Sequence, residues 1–105
     1  MANICINKMT VISENEISKD MIEEIENIQS SNIYSIEKVS EMRGYVEFII
    51  ESKWNFPMED FKGLFQKYND ESLYVRCLSE EYCEDLVSMN IFKNGVWLKP
   101  QYFIL

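Results

Sequence analysis

Apolar residues along the chain recur at two periods, and the points where the period switches divide it into elements. Residues 3 to 12 alternate imperfectly, with Cys5, Asn7, Met9 and Val11 on one side and Ile4, Ile6, Lys8 and Thr10 on the other, which is the period of a strand. Ile17, Met21, Ile25 and Ile28 follow at helical spacing, opposite Glu23, Glu24, Glu26 and Asn27. Ser18 stands where an N-cap hydroxyl would accept from an orphan backbone amide. An amphipathic helix over roughly 18 to 29 is expected, closed by the polar Ser30-Ser31-Asn32.

Two strand-like segments come next, Ile33 to Val39 and Gly44 to Ser52, the second with Val46, Phe48 and Ile50 alternating with Tyr45, Glu47 and Glu51. The short Ser40-Glu41-Met42-Arg43 between them predicts a hairpin. Pro57 then occupies a first helical position, with Glu59 and Asp60 in the first turn, where the positive end of the helix dipole favours carboxylates. Phe61, Leu64, Phe65 and Tyr68 supply the apolar stripe of a second helix over about 57 to 69, despite the cost of Gly63 in its interior.

After the break at Asn69-Asp70-Glu71, Leu73, Val75 and Cys77 alternate with Tyr74, Arg76 and Leu78 as a further strand. Asn94-Gly95, between the apolar stretches 84 to 93 and 96 to 103, predicts a tight hairpin, because both central positions of a type I′ turn need positive φ. The order β-α-β-β-α-β with a C-terminal β-hairpin implies an α+β chain of ferredoxin-like kind, two helices on one face of an antiparallel sheet. At 105 residues, with 3 Gly and 2 Pro, a single domain over 1–105 is expected.

Charge narrows the functional classes. Eighteen acidic residues against 10 basic ones give a net charge of −8, so neutralising phosphates cannot be the main work of this surface. The absence of His removes the commonest general base and metal ligand together. Cys5, Cys77 and Cys83 form no C-x-x-C pair and follow no signal-peptide pattern, which points to reduced thiols in a cytoplasm, and no apolar run approaches a membrane span. A zinc site would need an acidic fourth ligand such as Glu80, and buried packing is the simpler role for the thiols. No cofactor is implied.

The run Ser79 to Asp85 carries Glu80, Glu81, Glu84 and Asp85, and is expected to be a solvated connection between strands or a contact for a basic partner. It lacks the spacing and the Gly of an EF-hand. Because two helices cover only one sheet face, the opposite face must be polar, bound to something or covered by the terminal hairpin, and Tyr45, Ile49, Tyr74 and Arg76 would populate it. No P-loop, G-x-G-x-x-G, G-x-S-x-G, H-E-x-x-H or Cys-His pattern offers an enzyme a starting residue.

The chain's punctuation resembles a known family. Met1 to Asn7 at the start, Ser52-Lys53-Trp54-Asn55-Phe56-Pro57 before the second helix, Ser79-Glu80-Glu81, and Phe92-Lys93-Asn94-Gly95 before a last strand occur in the order found in YubB-like ferredoxin-like domain proteins. Ile4 departs from the Trp usual there. The resemblance implies an origin on plasmids, phages or related bacterial mobile DNA and carries no catalytic residues. Physical roles suffice for the shared positions: Asn3 and Asn7 can bond neighbouring backbone, Trp54 can wedge under the helix entrance, and Pro57 can start the helix.

The expectation is a small, acidic, non-enzymatic protein-binding module, using its sheet face or acidic surface through Tyr45, Tyr74, Arg76, Glu80, Glu81, Glu84 and Asp85. Its partner would be a protein with a basic surface. Alternatives are a nucleic-acid-mimicking inhibitor of a host defence protein, and a small metal-dependent or RNA-binding protein.

Overall fold

The first alternation becomes β1 (Ile4–Ile12), and the rest of the sheet is laid down on its two flanks. The structure is a computed structural model, and it describes residues 4–81 and 85–104, the last by its backbone alone. Beyond β1 the chain forms α1 (Lys19–Glu26), β2 (Ile33–Met42), β3 (Tyr45–Lys53), α2 (Met58–Lys67), β4 (Tyr74–Glu81), β5 (Leu86–Lys93), β6 (Val96–Trp97) and β7 (Gln101–Ile104). The sheet runs β2-β3-β1-β4-β5-β6, with β7 also paired to β5, and every pairing is antiparallel. The chain is α+β, with two helices and one seven-stranded antiparallel sheet among the described residues.

Strand parity decides where the helices sit. Met9, Val11, Val46, Phe48, Ile50, Val75, Cys77 and Phe92 occupy matching positions across the ladder and form one core cluster with Met21, Ile22 and Ile25 of α1 and Phe61 and Phe65 of α2. Both helices therefore lie on one face. Among the described residues no helix is long and apolar enough to cross a membrane.

α1 starts as its sequence dictates, with the Ser18 hydroxyl accepting from the Met21 amide at 3.1 Å. It stops three residues short of the expected end at 29, because Asn27 turns its side chain back onto the Glu23 carbonyl at 2.8 Å. Pro57 takes the cap position of α2 rather than its first turn, and the helix ends at Lys67.

The hairpin between β2 and β3 is tighter than the sequence implied. Ser40, Glu41 and Met42 belong to β2, so the turn is Arg43-Gly44, with Met42 paired to Tyr45. Gly44 has φ 70°, and a Cβ there would lie 2.6 Å from the Ser13 carbonyl oxygen, so the turn needs Gly on both counts. β2 carries register shifts between Ile33 and Ser35 and between Lys38 and Ser40, which bulge Tyr34 and Val39 outward at the sheet edge.

Asn94 and Gly95 both take positive φ, 54° and 80°, and Lys93 pairs with Val96 across the turn, as the dipeptide predicts. The returning arm is not one strand, however. From the Phe92–Trp97 pair to the Met89–Gln101 pair, β5 advances three residues while the return advances four. Pro100, which has no amide to donate, lies inside that irregularity and separates β6 from β7. The hairpin widens the sheet in its own plane and does not fold across the second face.

Candidate functional site

The residues of opposite parity line the face that carries no helix. Cross-strand register sets them in rows: Tyr45–Ile12–Tyr74–Lys93, then Glu47–Thr10–Arg76–Ile91, then Ile49–Lys8–Leu78–Met89, then Glu51–Ile6–Glu80–Val87–Phe103. Ile6, Ile49, Leu78, Val87, Met89 and Ile91 are half-buried against one another, and Phe103 is exposed. Lys8 pairs with Glu47 at 3.0 Å, and the Tyr45 hydroxyl donates to the same carboxylate at 3.1 Å. Rigid strands thus hold apolar, aromatic and charged groups on one surface.

Its charge differs from that of the rest of the chain. The face holds Lys8, Lys53, Arg76 and Lys93 against Glu37, Glu47, Glu51 and Glu80, four of each sign, so the net −8 falls entirely outside it. Much of the excess lies between Glu14 and Glu26, where Glu14, Glu16, Asp20, Glu23, Glu24 and Glu26 face a single Lys19.

Tyr45, Tyr74 and Arg76 come together on this face. The acidic run does not form one site. Ser79, Glu80 and Glu81 continue β4 instead of forming a connection, and parity sends Glu80 to the open face and Glu81 to the helix face opposite Cys5. Asp85 is exposed with φ 49°. Asn3, Cys83 and Glu84 lie outside the described residues. Trp54, expected as a wedge, is half exposed at φ 69°, and Phe56 and Trp97 fill the space beneath α2, their rings 5.4 Å apart.

A buried polar cluster escaped the sequence reading. Asn7, fully buried on β1, donates its amide to the Ile50 carbonyl at 2.9 Å and to the Ser52 hydroxyl at 2.8 Å. Its Oδ1 accepts from the Ser79 hydroxyl at 2.6 Å and from the Cys5 thiol at 3.3 Å. Burial, reinforced by the charge of Glu81, pushes the Cys5 thiol up to about 11 against the smaller opposing pull of Ser52 and Ser79, and burial drives Cys77 further in the same direction. Both stay protonated near neutrality and are poor nucleophiles. The signal was present as polar residues at inward strand positions, Asn7 and Ser52.

Asp70 closes the loops at the other end. Its carboxylate accepts from the Ser13 hydroxyl, from the Asn15 amide at 3.1 Å and from the Ser72 backbone at 3.0 Å and hydroxyl at 2.8 Å. Burial pushes the carboxyl up, but these bonds together outweigh it and hold Asp70 below its ordinary value. A carboxyl depressed on folding adds stability that is fully present above its unfolded pKa, about 3.9, and is lost as pH falls through the lower folded value. Asp70→Asn should therefore cost about 1 kcal/mol at pH 6, after screening of a partly exposed group, and flatten the acid limb of stability below about pH 4. Urea titrations of both chains across that range check it, and parallel acid limbs would refute it.

Among the described residues no group of three or more Cys, Asp or Glu side chains could hold a metal ion. Comparison of the chain with models of protein families, with curated proteins and with solved structures gives no match.

Proposed function

We propose that this chain is a non-enzymatic protein-binding module that works through its uncovered sheet face. The observation that carries the reading is the apolar centre of that face, Ile6, Ile49, Leu78, Val87 and Met89, flanked by Tyr45, Tyr74 and Arg76 with no described helix over it. Tyr and Arg are the residue types that anchor interfaces, and strands fix them without loss of loop entropy on binding. The first six elements read as a ferredoxin-like unit, supported by the partial order β4-β1-β3-β2 and by both helices sharing a face, with three strands added beyond β4. A cytoplasmic setting fits the free thiols Cys5 and Cys77.

A second reading has its own support. The carboxylates between Glu14 and Glu26 suit a basic groove, as in a protein that imitates nucleic acid and blocks a host defence protein. An RNA-binding reading gains nothing from a face with four charges of each sign.

The YubB-like resemblance directs the test to bacteria that carry plasmids or phages. Immobilised chain should retain a protein partner, a host protein or free chain of its own kind, and the double substitution Tyr74→Ala, Arg76→Glu should cut retention at least tenfold, about 1.4 kcal/mol. Glu23→Lys on α1 should leave it unchanged. The reverse pattern, loss with Glu23→Lys alone, would replace the sheet-face reading with the acidic one.

A further inference from the structure

We propose that the occupant of the uncovered face is a second copy of this chain, the two sheets packing face to face about a two-fold axis. The inference rests on the binding reading above and names its partner. Charge carries it. Two molecules of net charge −8 repel through most of their surface, yet the uncovered sheet face has a balance of zero, so two copies meeting there keep the carboxylates of α1 turned outward and apart. A self-complementary patch needs charges of both signs, and the face carries Lys8 and Arg76 on its two central strands together with Glu47, Glu51 and Glu80.

Size and chemistry agree. The five long strands β1 to β5, of eight to ten residues each, give at ~3.3 Å per residue and ~4.8 Å spacing a face of roughly 700 Å², close to the ~800 Å² that each partner buries in a standard-size interface. At its centre Leu78 and Met89 pair across β4 and β5, with Ile6 and Val87 on either side of Glu80 in the next row, and burying them removes apolar surface that the monomer leaves half in water. Pairing by strand addition at the β2 edge is a poorer route. The bulges at Tyr34 and Val39 break the edge ladder that an incoming strand would have to match.

Sedimentation of the full chain at micromolar concentration tests the proposal. The expected mass is twice the 12.5 kDa of one chain. Leu78→Arg places a second cation directly opposite Lys8 at the centre of the contact and should weaken association at least tenfold while far-UV circular dichroism stays unchanged. Val87→Glu, beside Glu80 on another strand of the same face, gives the same readout should the first variant misfold. Glu23→Lys should leave the dimer intact. A wild-type chain of single mass at every concentration overturns the proposal, as does a dimer that both face variants leave whole. A monomer that retains a host protein through Tyr74 and Arg76 overturns the dimer alone and leaves the binding reading standing.

Discussion

Phe65→Ala should lower the stability of the chain by about 3–5 kcal/mol, a large share of the ~5–15 kcal/mol that a domain of this size possesses. Phe65 is almost fully buried on α2, with ring centroids 5.9 Å from Phe61, 5.4 Å from Phe92 and 6.4 Å from Trp97. It joins the helix to the sheet and to the terminal hairpin at once. Truncation forfeits the transfer energy of the ring and leaves a cavity that two rigid layers cannot close.

The same substitution at half-buried Leu64 on α2 should cost far less, about 1 kcal/mol, because that side chain already keeps part of its surface in water. At the usual conversion the Phe65 variant should melt roughly 12 °C or more below the wild type. Trp97 reports the repair locally. With Trp54 replaced by Phe to silence the exposed indole, emission of Trp97 should shift to the red in the Phe65 variant. A melting point within a few degrees of wild type would mean that α2 does not hold the hairpin in this way.

How much of this arrangement the sequence disclosed depends on how local each cause is. The Asn94-Gly95 turn, the Ser18 cap and the inward Met21 and Ile25 of α1 and Phe61 and Phe65 of α2 are set within a few residues of themselves, and each stands where its pattern put it. So does the inward parity of β1 and β3. Features set by a partner elsewhere in the chain were illegible. The turn at Gly44 is short because the Ser13 backbone lies against it, and nothing in Ser40 to Arg43 announces that.

The acidic run shows the same limit. Glu80 and Glu81 read as part of an acidic connection between strands, yet the alternation Val75, Cys77, Ser79 continues through them. Ser79 pairs with Asn7 and Ser88 on the neighbouring strands, and its hydroxyl donates to Asn7, far away in sequence. The uncovered face, by contrast, follows from counting helices. Two of them cover one side of a sheet, and Tyr45, Tyr74 and Arg76 fall on the other by alternation alone.

Asn7 itself supplies the second large effect, since Asn7→Ala should cost about 3 kcal/mol although it removes only a small polar group. The Ile50 carbonyl can only accept, so the nitrogen of the Asn7 amide must face it, and Oδ1 is then turned toward Ser79 and Cys5. That orientation makes both the Ser79 hydroxyl and the Cys5 thiol donors, in keeping with a thiol held protonated. In the Ala variant the Ser79 hydroxyl, 1% exposed, loses its acceptor, and the Ser52 hydroxyl loses a donor in an equally buried position. Stranded polar groups cost about 1–3 kcal/mol each, more than the bonds gained over water in the first place.

Ser79→Ala removes one spoke and should cost about 1–2 kcal/mol. The pair combined should cost less than the sum, with a coupling of about 1 kcal/mol, because the second substitution deletes the group that the first left unsatisfied. Urea unfolding of the four chains in that cycle measures the coupling directly. Strict additivity would show that Asn7 and Ser79 do not share a hydrogen bond, and the polar cluster would then be a set of separate contacts with no common centre.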